Sequence, residues 1–129
     1  MPAGEAFTTD ERLEIHRALE LATRQCGLPF SLYVGALEQG RDSATRLHEA
    51  LGADAAGTVL VAVDPGGRSL EIVTGARAAS SLDDRACALG ALTMTSAFVN
   101  GDLVGGIRNG VLQLAEHARA PRTLHANQP

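Results

Sequence analysis

The sequence predicts an α/β fold: a three-layer α/β/α sandwich around a small mixed sheet. Three observations lead there. "TVLVAVD" (58–64) is almost continuously apolar, the pattern of a strand covered on both faces. "PGG" (65–67) is a tight turn and "SLEIVTG" (69–75) follows it, so these two strands form a hairpin. Helical apolar stripes lie before and after that hairpin, enough to clothe both faces of a sheet.

The elements follow in order. Thr8 and Glu11 have capping-box spacing, and Leu13, Ala18, Leu19, Leu21 and Ala22 supply a stripe, so a first helix is predicted from Thr9 to Cys26. Gly27 and Pro29 stop it, and "FSLYVGAL" (30–37) reads as the first strand. A second helix is expected to begin near Asp42 or Ser43, to place Ala44, Leu47 and Leu51 on one face, and to end at Gly52. Because a helix joins the first two strands, they should be parallel, with the buried strand between its two neighbours. From "SLDD" (81–84) a third helix carries Ala86, Leu89, Leu92 and Thr93. A last helix places Leu103, Ile107, Val111, Leu114 and Ala115 on a continuous stripe.

That last helix contains Gly105, Gly106 and Gly110, each costing roughly 1 kcal/mol relative to alanine in a helix interior. Gly106 and Gly110 stand at the edge of the stripe at i, i+4 spacing. They are expected to let a neighbouring backbone or side chain come close. Residues 1–8 and 119–129 read as tails around one domain, 9–118.

Composition narrows the function classes. The 129 residues are 45% hydrophobic, enough for one core without metal or disulfide staples. A net charge of −4, three Phe, one Tyr and no Trp give no attractive field for phosphate backbones and little to stack on bases, so nucleic acid is not the expected partner. The N-terminal residues lack a basic stretch followed by an apolar core, and no run approaches the roughly 18 apolar residues of a membrane span. A cytoplasmic protein without membrane insertion is expected. All 11 basic residues are arginine, which excludes lysine Schiff-base chemistry and a lysine-based phosphate loop. Cys26 and Cys87 fall in predicted helices as packing thiols.

The order and spacing of "AGTVLVAV" (56–63), "SLEIVTG", "SLDD" and "FVNGDLVGGIRNGVLQL" (98–114) resemble the TPM domain of thylakoid acid phosphatases, photosystem II repair proteins and many bacterial proteins of unknown role. The resemblance spans about residues 9–118. TPM proteins usually carry an aromatic after the third-strand glycine and after the Gly-Asp pair; here Ala76-Arg77 and Leu103 stand in those places. The chain is therefore similar to divergent soluble bacterial members. The resemblance implies that the loop after the third strand and the loop before the last helix approach one another. That would gather Asp83, Asp84 and Asp102 into a carboxylate cluster suited to Ca²⁺ or Mg²⁺, able to polarise a phosphoryl oxygen. The same carboxylates also suit helix capping.

Other chemistry is thin. Asp64 ends the buried strand where open sheets bind ligands, but Asp-Pro-Gly-Gly is equally turn chemistry, and position 66 is Gly where a haloacid-dehalogenase phosphatase needs a second Asp. His16, His48, His117 and His125 lack zinc-ligand spacing. Neither Ser80 nor Ser81 sits in a G-x-S-x-G elbow. Arg77 and Arg108 could each bind an oxyanion or make a surface ion pair. Two readings stand: a non-catalytic accessory or interaction module whose partner is another protein, and a divalent-cation-dependent acid phosphatase built on the carboxylates.

Overall fold

The computed structural model describes residues 7–119. Helix α1 is Thr9–Cys26, strand β1 Phe30–Val34, helix α2 Arg41–Glu49, strand β2 Val59–Asp64 and strand β3 Ser69–Thr74. Helices α3, Asp84–Val99, and α4, Leu103–Arg119, close the domain, and short 3-10 turns occupy Gly52–Gly57 and Ala78–Ser80. The sheet order is β1-β2-β3. β1 runs parallel to β2 with Leu32 beside Val61, and β3 runs antiparallel to β2 with Ile72 beside Val61. The fold is the expected α/β/α sandwich with the apolar strand in the centre.

Two cores sandwich the sheet because β2 is apolar on both faces. Val59, Val61 and Val63 join Leu70 and Ile72 under α1, α3 and α4, with Ile15, Met94, Ile107 and Leu114 wholly enclosed. Leu60, Ala62 and Val73 face the other way, against Leu37 and Ala44 of the α2 side. On the thick side, α4 packs against both α1 and α3.

The first helix has its expected bounds: Thr8 and Glu11 complete the capping box, and Gly27 closes the helix with φ 79°. The N-terminal tail expected over 1–8 ends earlier, since Phe7 is buried in the core and Thr8 is the helix cap; residues 1–6 and 120–129 lie outside the described residues. β1 is shorter than expected. After Val34 the chain turns away, and the Leu37 amide is held by Asp64 at 3.0 Å. α2 starts at Arg41 behind Gly40, while Ser43 sits in its first turn and accepts from the Gln39 amide.

Two helical stripes differ from expectation. In α1 the inward residues include Ile15, Ala18 and Ala22, leaving Leu13 and Leu21 45% and 37% exposed. In α3 they are Ala86, Gly90 and Met94, and Leu89 and Leu92 face outward. In α3 the cause is the close approach of α4. Gly90 lies opposite Leu114, Met94 opposite Gly110 and Ala97 opposite Gly106, an antiparallel register with a glycine on one side of each contact. A Cβ at Gly106 would stand 2.7 Å from that of Ala97 and 3.1 Å from the Met94 carbonyl oxygen. The two helix glycines thus sit at a close approach, as expected from their position beside the stripe.

Candidate functional site

The acidic residues expected to cluster do not converge. Asp83 caps the start of α3, its carboxylate accepting from the Ala86 amide at 2.9 Å, and Asp84 stands in the first turn. Asp102 follows the other end of α3 and accepts from the Gly105 amide at 3.0 Å. With 16 residues of helix between them, Asp83 and Asp102 are separated by about 24 Å. The loop before α4 instead meets the β2–β3 turn, where Pro65, Arg68, Phe98 and Gly101 share one hollow. Among the described residues no group of three or more His, Cys, Asp or Glu is placed to hold a metal ion. The expected convergence fails because α3 carries the chain the full length of the sheet before α4 begins.

Asp64 is a structural hub. One carboxylate oxygen accepts from the Gly67 amide at 2.9 Å, tying the hairpin, and the other accepts from Leu37 at 3.0 Å, tying the β1–α2 loop. These backbone donors, Leu37 foremost, hold its pKa below the ordinary carboxylate value. Arg108 pairs with Glu14 across α4 and α1, and the Arg77 guanidinium lies over Gly57. Buried His48 donates through Nε2 to the Thr58 carbonyl at 3.0 Å. His16 and His117 are exposed, and His125 lies outside the described residues. Ser80 donates to the Arg77 carbonyl at 2.8 Å. Burial, reinforced by Asp84, pushes the Cys87 thiol up, away from a reactive thiolate.

The feature these residues do not explain is the outer side of β1. Val59 donates to the Pro29 carbonyl and Gly35 to that of Val63, each at 2.9 Å. In a parallel ladder that phase turns the amides of Ser31 and Tyr33 toward β2 and those of Phe30, Leu32 and Val34 outward. Phe30 uses its outward amide on the Thr23 hydroxyl at 3.3 Å. Those of Leu32 and Val34 have no partner among the described residues.

Beside this edge runs a groove of about 470 Å³ between β1 and α1. Phe30, Leu32 and Val34 form its strand wall, and Phe7, Ile15 and Leu19 its helix wall, with Arg12 and His16 at the rim. Along "FSLYV" there is no charged residue, only half-buried side chains. The opposite edge is guarded: Arg41 reaches from α2 to donate to the Ile72 carbonyl and to Glu71, both at 3.1 Å. Charged side chains on an edge are the usual protection against added strands; β1 lacks them. An open edge beside an apolar groove has the chemistry to accept an extended segment, backbone to backbone, with alternate side chains in the groove. The sequence signal was present in the charge-free run between Pro29 and Gly35. The groove itself depends on α1 folding back over that run.

The comparisons with known proteins give a family and a fold and name no activity. A family model described as a domain of unknown function, DUF5130, matches residues 1–115. Two relatives from Mycobacterium tuberculosis, Uncharacterized protein MT2543 of strain CDC 1551 / Oshkosh and Uncharacterized protein Rv2468c of strain ATCC 25618 / H37Rv, are each 32% identical over 111 residues. The match takes in 84% of this chain but spans only 65% of the length of those relatives. Among solved structures, the NMR structure of BA42 protein from the psychrophilic bacterium Bizionia argentinensis is similar with a TM-score of 0.77, covering 88% of this chain and 82% of that one. At 17% identity that likeness is one of fold. Among the described residues no helix is long and apolar enough to cross a membrane.

Proposed function

The chain belongs to the DUF5130 family of domains of unknown function, and we propose that it is a non-catalytic interaction module that binds an extended segment of another protein along the outer edge of β1. The observation that carries this reading is the pair of unpartnered outward amides at Leu32 and Val34 beside the α1–β1 groove. A bound segment would continue the sheet to four strands and place every second side chain between Leu19 and Leu32. Main-chain bonds would supply the affinity and the groove the selectivity. We also read the chain as a distant relative of TPM domains. In support, two glycines on which that resemblance rests stand at tight contacts: Gly57 under Arg77, and Gly75 against the carbonyls of Ala55 and Ala56.

The test is a fluorescein-labelled heptapeptide of alternating valine and threonine titrated into the full chain and read by anisotropy. The reading expects saturable binding that is abolished when alternate peptide amides are N-methylated in one of the two registers. Binding indifferent to methylation in both registers, or no binding, would overturn it.

A further inference from the structure

We infer, resting on the β1-edge reading, that the bound segment carries an acidic side chain, aspartate or glutamate, at the end that lies beside Val34, where Arg12 receives it. The contact between Thr23 and Phe30 shows that α1 runs back antiparallel along β1. Arg12 lies 11 residues before Thr23, about 16 Å along the helix, while Phe30 to Val34 covers about 13 Å of strand. Arg12 therefore stands at the Val34 end of the groove, at its rim.

The charges there are one-sided. No acidic residue lines the groove. His16, the other polar side chain of the rim, already faces Glu20 at 3.8 Å on its own helix. Arg12 is exposed and has no ion pair among the described residues, whereas Arg41 and Arg108 are tied to Glu71 and Glu14. A guanidinium beside an apolar slot favours a carboxylate on whatever fills the slot.

That carboxylate belongs to a side chain and not to a chain terminus. Capture of a terminal carboxylate uses a set of free backbone amides. At the start of α1 that set is already reduced: the Thr8 amide donates to Glu11 at 2.8 Å and the Glu11 amide to Thr8 at 3.1 Å. A long, exposed arginine beyond the last strand residue instead suits an Asp or Glu reaching sideways from an extended chain.

Four amidated alternating valine–threonine heptapeptides, with Glu or Gln at one end or the other, test this on the isotope-labelled full chain. Amide shifts at Leu32 and Val34 report edge binding, and the titrations give affinities. In one of the two end placements the Glu peptide should bind up to about fivefold tighter than its Gln counterpart at low ionic strength, the advantage shrinking in salt. Arg12→Gln should erase that preference and Arg12→Glu should reverse it. If Glu and Gln peptides shift Leu32 and Val34 with equal affinity in both placements, the acidic preference is wrong and the edge reading stands. If no peptide shifts those amides, both are wrong.

Discussion

The amide of Phe30 donates to the hydroxyl of Thr23 across 3.3 Å, and this bond fixes where the open edge of β1 begins. The same hydroxyl donates to the Leu19 carbonyl at 2.9 Å, so one side chain joins the last turns of α1 to the first residue of the strand. Thr23→Val keeps the shape and removes both bonds. It should cost about 1 kcal/mol, because the Phe30 amide is left unpaired at a part-buried site. Urea denaturation measures this; an unchanged midpoint would mean that water replaces the hydroxyl without loss.

Gly75 ends the hairpin against fixed backbone. A Cβ there would overlap the Ala55 carbonyl oxygen, and the Ala56 carbonyl is the next obstacle. Neither can rotate aside as a side chain would, and Ala56 also accepts from the Arg77 amide at 2.9 Å. Gly75→Ala should therefore cost roughly 1–3 kcal/mol or more. Gly67→Ala, which meets the Asp64 carboxylate at 2.8 Å, is a side-chain conflict and should cost less. Thermal denaturation of the two variants gives the order; a reversed order would contradict the backbone contact.

At Gly106, two effects oppose. Alanine gains about 1 kcal/mol of helix propensity and loses the close approach to Ala97 and to the Met94 carbonyl. The account expects the contact to dominate, so that Gly106→Ala melts below wild type and Gly106→Leu far below it, by roughly 1–3 kcal/mol or more in stability. A variant melting at the wild-type temperature would show that α3 and α4 can separate freely.

Asp64 makes a pH prediction. Because its pKa is lowered in the fold by the amides of Leu37 and Gly67, its contribution is fully present above the ordinary carboxylate range near pH 4 and is lost as pH falls through the lower folded value. Asp64→Asn should remove that part of the acid dependence of stability. Asp64→Ala should also destabilise at neutral pH, since the amide of buried Leu37 loses its acceptor. Acid titrations of wild type and Asp64→Asn that overlay below pH 4 would contradict the assignment.

Local chemistry made much of this fold readable. The Thr8–Glu11 box and Gly27 bounded α1, and the two-faced apolar run of β2 placed it at the centre of the sheet. Contacts between elements were harder to read. Leu89 and Leu92 look like a buried stripe, yet α3 turns inward the glycine and alanine that let α4 approach, and a reading by hydrophobicity passes over Gly90. The resemblance to TPM domains implied a cluster of Asp83, Asp84 and Asp102, and the run of α3 between them keeps them apart. Likewise "FSLYV" reads as a strand, but its open side and the groove beside it follow from the ladder phase set by Val59 and Gly35.

Hydrogen exchange at β1 distinguishes its inward amides from its outward ones, residue by residue. In the free chain the amides of Ser31 and Tyr33, bonded to β2, should exchange slowly, and those of Leu32 and Val34 should exchange fast. Adding the alternating valine–threonine heptapeptide should slow Leu32 and Val34 and leave Ser31 and Tyr33 as they were. If Leu32 and Val34 are already protected in the free chain, or stay fast at saturating peptide, β1 is not the edge at which a partner adds its strand.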